Sequence, residues 1–208
     1  MREDLAFLDE AQLDALFEAP AAMVERATTR HLTEFHHEFL KRATFFVIAS
    51  GGTDGFDASP RGGSAGLVHP LDDHTVCFAD WPGNNKIETL RNIVRNPAVG
   101  LVFLFPGLDM FMRINGKAGI TQDMAIRECL AEGAKVPKVA VVVAIEAVYF
   151  HCGKAINRAG LWKSESMIDR RSVPSPGTMM KALAEIEDMP AADLDQHYRE
   201  SMTKDLFG

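Results

Sequence analysis

The sequence predicts a mainly antiparallel α+β fold, in which a β-sheet or barrel has helices at both ends. About five apolar segments of strand length lie in the middle of the chain, with one amphipathic segment among them. Strands and helices do not alternate regularly, as they would in a doubly wound parallel fold. An antiparallel sheet or barrel with helical flanks is therefore the predicted architecture.

The composition of the 208 residues is that of an ordinary globular domain. Hydrophobic residues make up 47% of the chain, which is enough to bury a core. The net charge of −7 argues against a nucleic-acid partner, because binding the phosphate backbone depends on clustered Lys and Arg. The start of the chain lacks the pattern of a signal peptide, and no segment has about 18 uninterrupted apolar residues. We therefore expect a cytoplasmic protein that binds neither nucleic acid nor a membrane.

The first 42 residues are predicted to be helical. Leu13 and Leu16 share one face of a first helix, and Phe35 and Phe39 recur at helical spacing in a second. Thr33 is a candidate N-cap for the second helix.

From Ala43 the pattern changes to that of strands. Residues 45–49 form the first strand, and the Gly- and Ser-rich residues 50–63 are predicted to be a loop. Residues 66–69 and 75–79 form a hairpin around an acidic turn.

One amphipathic helix precedes three longer strands. Its apolar stripe lies within residues 87–94, and an Asn-Pro pair ends it. Residues 99–105 are nearly all apolar, which predicts a strand buried on both faces. Residues 110–121 alternate between apolar and polar, and residues 139–150 are rich in valine.

The stretch Pro-Gly-Asn-Asn-Lys lies at the junction between the hairpin and this helix. Gly83 permits a sharp turn, and Asn84 and Asn85 are predicted to lie at the helix start, where free amides and the helix dipole favour an anion. Lys86 adds a positive charge, so the junction can hold a phosphate. The alternative is an ordinary asparagine N-cap with a solvated lysine, and sequence physics alone favours that alternative.

A second candidate for anion binding is the segment Ser-Pro-Arg-Gly before the hairpin. Its Arg61 suits planar, bidentate contact with a phosphate. We expect Arg61 to meet Lys86 across the sheet. A loop arginine in solvent is the alternative.

These motifs stand in a fixed order along the chain. The Ser-Pro-Arg-Gly and Pro-Gly-Asn-Asn-Lys segments are followed by Arg113-Ile114-Asn115-Gly116-Lys117-Ala118, by His151-Cys152-Gly153-Lys154-Ala155 and by Arg158-Ala159-Gly160-Leu161-Trp162. The order resembles that of the pyridoxamine 5'-phosphate oxidase-related FMN-binding split-barrel family. Over residues 10–205 it is similar, more narrowly, to a subgroup of FMN-dependent enzymes.

The resemblance implies a homodimer of six-stranded Greek-key split barrels with two flavin sites at the interface. Residues 1–208 would form a single FMN-binding domain. Within it, residues 1–42 are a helical N-terminal segment, residues 43–152 the barrel and residues 153–208 a helical C-terminal segment.

The resemblance also implies positions for the FMN phosphate. Asn84, Asn85, Lys86 and Arg61 match the basic segment and the arginine that hold it in the related oxidases, and Ser64 is a further candidate. Which of Arg61, Ser64 and Lys86 touches the phosphate stays open, because this loop matches a gap in the oxidases.

Further positions are implied along the rest of the flavin. The backbone of Ala79 and Asp80 would lie along the isoalloxazine or ribityl chain. Lys154, Arg158 and Trp162 of the opposite subunit would line the flavin edge.

This sequence differs from those oxidases at positions that, in the oxidases, contact the substrate or the flavin. Those enzymes have Arg-Leu-His where Arg158 is followed here by Ala159 and Gly160. His69 stands where they have a lysine for the substrate phosphate, and Phe111 stands where a glutamine contacts the flavin. We therefore expect a flavin-dependent oxidoreductase with a substrate other than pyridoxamine phosphate. The cofactor would carry out the hydride or electron transfer, so no catalytic protein residue is predicted.

Two other classes of function stay open. One is a non-catalytic binding or carrier protein for flavin, haem or a deazaflavin, in which His69 or His151 would serve as a haem ligand. The other is a structural dimer with an empty pocket, which the presence of Arg61 and Lys86 opposes.

Neither a metal site nor an activated thiol is predicted. The histidines at positions 31, 36 and 37 share no helix face and are expected to be solvated. The three cysteines form no Cys-x-x-Cys pair. Neighbouring strand residues point to opposite faces, so we expect a packed Cys152 with His151 near the ligand pocket.

Overall fold

The computed structural model describes residues 2, 4–52, 55–204 and 206–207. Seven strands form its centre: β1 (Phe45–Gly52), β2 (Gly55–Gly62), β3 (Val68–Asp72), β4 (Thr75–Asp80), β5 (Ala98–Leu104), β6 (Met110–Thr121) and β7 (Val139–Cys152). All neighbouring strands pair antiparallel, in the order β2-β1-β5-β6-β7-β4-β3. The prediction of a mainly antiparallel sheet with helical flanks is thus confirmed.

Helices precede, interrupt and follow the sheet. They are α1 (Glu10–Leu16), α2 (Ala22–Arg26), α3 (Glu34–Leu40), α4 (Glu88–Arg95), α5 (Met124–Cys129), α6 (Lys154–Ala159), α7 (Pro176–Leu183) and α8 (Ala191–Ser201). None of the helices in the described part of the chain combines the length and the apolar character needed to cross a lipid bilayer.

The sheet is strongly curled around one apolar core. The ring of Phe46 on β1 lies 5.3 Å from the ring of Phe103 on the adjacent β5 and 5.0 Å from that of Phe78 on β4, between ring centroids. Strand β4 lies four places from β1 in the sheet order. No backbone ladder between the described strands joins the two edges, so the sheet does not close into a barrel.

Strand β2 corrects the sequence-based prediction of a loop over residues 50–63. It pairs with β1 along its length, with Phe46 opposite Arg61 and Ile48 opposite Ser59. Its Ser, Pro and Gly content is typical of loops, but β2 is an edge strand, where Pro60 is tolerated. The described residues therefore contain seven strands, and the implied count of six is not confirmed.

The long central strands alternate between the core and an outer face. Met112 and Ile114 of β6 are buried, as predicted. Strand β5 was predicted to be buried on both faces, but it alternates as well, with Leu101 buried while Val102 and Leu104 are half-buried. The outer face of β5 is therefore only partly covered by the described residues.

Helix α3 packs closely against the sheet. Thr33 is its N-cap, as predicted, and the Thr33 N–H donates to Nδ1 of His36 at 3.0 Å. The His36 ring is 3% exposed and stacks on Phe150, so the prediction of a solvated side chain is wrong for this histidine. Burial lowers the pKa of His36, which favours the neutral ring that this hydrogen bond requires.

Helix α4 lies on the β1–β2 hairpin and positions the loop before it. The Thr89 hydroxyl donates to Oδ2 of Asp57 on β2 at 2.6 Å, and the Asn92 amide donates to Oγ of Ser50 on β1 at 3.3 Å. Ile93 is buried beneath the helix. These contacts hold the Pro-Gly-Asn-Asn-Lys loop beside the end of β2.

A glycine at the β6–β7 contact gives a test of this packing. A Cβ at Gly116 would overlap the carbonyl oxygen of Ala144, at the bulge in the ladder. Because the two backbones would have to separate, we expect Gly116→Ala to lower the free energy of unfolding by about 1–3 kcal/mol in urea denaturation. Gly119→Ala, on the same strand with no atom within 4 Å of its Cβ, is the matched control. Equal stability of the two variants would contradict this packing.

Candidate functional site

A cleft of about 910 Å³ opens between β2, the end of β4 and the loops that follow them. It is formed by segments that are distant in sequence and that the curl of the sheet brings together. Seven of the predicted cofactor residues line it: Arg61, Ser64, Ala79, Asp80, Asn84, Asn85 and Lys86.

Arg61 and Asp80 face each other across the open side of the sheet. Nη2 of Arg61 on β2 lies 3.3 Å from Oδ1 of Asp80 at the end of β4, and both side chains are about four-fifths buried, with 20% and 23% exposed. Nη1 of Arg61 also donates to Oγ of Ser59 and to the carbonyl of Pro60. The sequence-based alternative of a solvated loop arginine is therefore wrong.

The guanidinium of Arg61 is not fully satisfied by its own chain. Its Nε is buried and has no hydrogen-bond acceptor among the described residues. A buried donor without an acceptor is costly, and a guanidinium in a cleft wall suits an oxyanion, which accepts charge-assisted hydrogen bonds. The donor set thus fits a phosphate group.

The Pro-Gly-Asn-Asn-Lys segment is a turn that precedes the helix. Helix α4 begins at Glu88 with Ile87 as its N-cap, so the prediction that Asn84 and Asn85 start the helix is wrong. Oδ1 of Asn84 instead accepts the backbone N–H of Lys86 at 3.0 Å, and Asn85 has a positive φ of 58°. The asparagines shape the turn because asparagine tolerates the left-handed region and bonds its own backbone two residues on.

Lys86, which follows this turn, adds a positive charge to the cleft lining. Its side chain is exposed, lines the cleft and makes no ion pair with any residue that the structure describes. Lys138, just before β7, is a third cation in the lining that sequence reasoning missed. A single lysine before a strand carries no local signal, so only the fold identifies it.

Ser64 bonds to the opposite wall of the cleft. Its hydroxyl donates to Oε2 of Glu132 at 2.9 Å. This bond closes one side of the cleft between the loop after β2 and the loop after α5. The Ser64 oxygen keeps a free lone pair, but its proton is already engaged.

The C-terminal residues supply an apolar wall that sequence reasoning also missed. Met202 and Leu206 line the cleft, and the ring of Phe207 packs edge-on against Trp81, with 5.1 Å between centroids. No local signal could reveal this contact, because it joins residues far apart in the chain.

Lys154, Arg158 and Trp162 do not line this cleft. Lys154 and Arg158 are exposed on α6, and Nε1 of Trp162 donates to the carbonyl of Leu108 at 3.0 Å. Their predicted place at the flavin of an opposite subunit stays a prediction.

Among the described residues, the cysteines and histidines form neither a metal site nor an activated thiol. Burial, together with the neighbouring Cys129, raises the pKa of the Cys77 thiol to about 12, so this thiol stays protonated. Cys152 is exposed, so its predicted packing is wrong, and His151 contacts Phe111 outside the cleft lining. Among the described residues, no group of three or more His, Cys, Asp or Glu could hold a metal ion.

The part of the chain that matches a known family contains the whole sheet. A family model for pyridoxamine 5'-phosphate oxidase matches residues 32–152, which is more than half of the chain. The chain belongs to this family. The match runs from the start of α3 to the end of β7 and includes most of the cleft.

Several solved structures match a little over half of this chain. HupZ of Group A Streptococcus is 20% identical, with 56% of this chain and 92% of that chain covered and a TM-score of 0.47. General Stress Protein 26 of Bacillus anthracis is 14% identical (55% and 88% covered, TM-score 0.44). An F420 reductase is 17% identical (58% and 98% covered, TM-score 0.41). A search of curated proteins found no match.

The environment of Asp80 predicts a pH dependence of stability. Burial raises its pKa, and Arg61 opposes part of that shift. The folded protein therefore holds the Asp80 proton to a higher pH than the unfolded chain, so stability falls as pH rises from about 4, the ordinary aspartate value, to the raised one. Asp80→Asn cannot titrate, and we expect wild type to lose stability relative to this variant across that window in urea denaturation. The opposite slope would mean that the Arg61 ion pair outweighs burial.

Proposed function

We propose that this member of the pyridoxamine 5'-phosphate oxidase family binds FMN in the cleft and acts as a flavin-dependent oxidoreductase. The single observation that carries the proposal is the convergence of Arg61, with its unpartnered Nε, and the free Lys86 in one cleft. The cleft volume of about 910 Å³ lies within the range of cofactor sites, roughly 300–1,000 Å³. Family membership adds a second, independent reason, because flavin is a common cofactor in this family.

The phosphate end of the FMN site would lie between Arg61 and Lys86. Both side chains carry a positive charge, and Asn84 shapes the turn that presents Lys86. Asp80 pairs with Arg61, so its carboxylate competes with a phosphate for the same guanidinium. The raised pKa of Asp80 lessens this competition as the pH falls.

The remaining parts of the flavin would lie along β4 and the apolar lining. The backbone of Ala79 and Asp80 would follow the ribityl or isoalloxazine group. Phe78, Leu130 and Val139 line the same cleft and would exclude water from the ring. A bound flavin supplies hydride or electron transfer, and this chain binds it, orients it and shields it.

The active unit that we propose is a homodimer of split-barrel domains, each formed by residues 1–208. The single chain leaves one side of the cleft open. Lys154, Arg158 and Trp162 lie outside the cleft of their own chain and would complete that of the second subunit. Pyridoxamine phosphate is not the substrate that we propose, because Ala159 and Gly160 replace the residues with which the oxidases hold it.

Binding of FMN and riboflavin tests the phosphate site, because the two flavins differ only in the phosphate. We expect Lys86→Ala and Arg61→Ala each to weaken FMN binding by about 10- to 100-fold, the loss of a charged hydrogen bond, while riboflavin affinity changes little. Flavin fluorescence quenching measures both affinities. Lys41→Ala is the matched control, because Lys41 is an exposed lysine at the C-terminal end of α3 and does not line the cleft.

Other outcomes of this titration separate the alternatives. Uptake of FMN that is indifferent to both substitutions would refute the phosphate site. A Soret band after haem addition, without flavin uptake, would favour a haem-binding protein. Bound FMN that neither a nicotinamide cofactor nor candidate acceptors reduce or reoxidise would favour a carrier.

Complementation between two defective chains tests the shared site. A chain with Arg61→Ala and Lys86→Ala and a chain with Arg158→Ala should each bind FMN poorly. Mixing them creates hybrid dimers in which one of the two sites has only wild-type residues. With random pairing half of the dimers are hybrids, so about a quarter of the sites should recover wild-type affinity, counted by FMN titration. No recovery, in a mixture shown to exchange subunits, would place Arg158 outside the second subunit's site.

A further inference from the structure

The N-terminal arm, defined here as residues 4–28, has an apolar surface that its own chain does not cover. Every residue of the arm is exposed. Leu13, Leu16 and Phe17 are 44%, 65% and 72% exposed, and Met23 and Val24 are 71% and 60% exposed. Exposed apolar side chains in such a run mark a surface that binds another protein surface.

The arm makes no described hydrogen bond to the rest of the chain. Its backbone and side-chain bonds all join residues of the first 28, such as Asp9 with Gln12 in the capping box of α1. The first link to the sheet is Thr29, which pairs with Val148 on β7. The arm is therefore tethered at one end and free to reach another surface.

The arm is also acidic along one side. Glu10, Asp14 and Glu18 recur at four-residue spacing, which places the first two on one row of α1 and the third just beyond its end. None of the three forms an ion pair with a described residue. A surface that covers the arm should therefore be both apolar and basic.

A surface in the described part of the chain has both apolar and basic side chains. It is the segment after α6, residues 161–171, which we call the 161–171 surface. Leu161, Met167 and Ile168 are 44%, 78% and 73% exposed there. Lys163 and Arg170 are exposed beside them and form no ion pair with any residue in the described part of the chain. Of the two acidic residues of the segment, Asp169 pairs with Arg171 and Glu165 is exposed, so the 161–171 surface keeps a formal charge of +1, from three basic and two acidic residues.

We infer that the N-terminal arm docks on the 161–171 surface of a second copy of this chain, an inference that rests on the homodimer proposed above. Acidic residues of the arm then meet Lys163 and Arg170, and the apolar side chains of both surfaces leave water. In a two-fold dimer the contact forms twice, because each copy has both an arm and a 161–171 surface.

The location of the 161–171 surface supports a second copy as the occupant. It continues directly from Lys154 and Arg158, which would enter the cleft of the second subunit. The same region would then be held on one side by that cleft and on the other by that subunit's arm. The charge pairs are exposed, so salt should weaken this contact.

A cross-link between chains of different length tests the contact. Ala15→Cys is introduced into a tagged chain and Met167→Cys into an untagged one, and the mixture is treated with a short bifunctional maleimide. We expect a covalent product that contains one tagged and one untagged chain. Each variant mixed with wild type is the control, because Cys129 and Cys152 are exposed. A chain with both substitutions that cross-links only within itself would overturn the inference in favour of docking on its own surface.

Charge reversal tests the same contact by affinity. We expect Lys163→Glu with Arg170→Glu to raise the dimer dissociation constant about tenfold in analytical ultracentrifugation, and Glu10→Lys with Asp14→Lys to restore it. Lys41→Glu is the control. A wild-type dimer that none of these changes affects would overturn only the arm contact. A wild type that stays monomeric at all concentrations would overturn both the homodimer and the arm contact.

Discussion

The curl of the seven-stranded sheet is the constraint on which the site depends. Strands β1 and β4 are four places apart in the sheet, yet Phe46 and Phe78 pack ring against ring between them. The same curl brings the edge strand β2 to the end of β4, where Arg61 meets Asp80. Without this closure by side chains, the loops that line the cleft would lie at opposite edges of a flat sheet. The aromatic packing inside the curled sheet and the Arg61–Asp80 ion pair at its edge therefore both join strands that are distant in the sheet order.

The charged side chains that line the cleft carry more positive than negative charge, which favours an anion. Arg61, Lys86 and Lys138 supply three positive charges, while Asp80 and Glu132 supply the negative ones. Asp80 holds Arg61 in place, but its own ionisation is disfavoured by burial. The arginine is thus oriented by a partner whose negative charge is disfavoured by burial. Pre-orientation of this kind lowers the entropy lost when a ligand binds.

Three features of the single chain motivate the homodimer proposed above. The outer face of β5 is half-buried, α6 presents cations outside its own cleft, and the N-terminal arm keeps its apolar side chains in water. Each has a physical cost for an isolated chain, because exposed apolar area and unpaired charges near it gain nothing from folding. The second copy that we propose would contact all three of these surfaces.

Much of the sheet could be predicted from the sequence, because strand alternation is a local property. The period of two in β6 separates Met112 and Ile114 from their polar neighbours wherever the strand lies, and the capping role of Thr33 follows from the residues after it. The two cationic motifs around Arg61 and Lys86 were likewise visible, since a turn and a cation need no distant partner. Their order along the chain also identified the family.

Other features were decided only by the tertiary structure. Residues 55–62 form a strand because β1 offers them a ladder, although their composition is that of a loop. Arg61 is oriented by Asp80, Lys138 lines the cleft, and Phe207 packs against Trp81 of the cleft wall, through contacts between distant segments. Such pairings depend on how the whole sheet curls, and no window of neighbouring residues contains that information. The sequence by itself thus determined the elements and the charges, while tertiary packing decided which of them share a site.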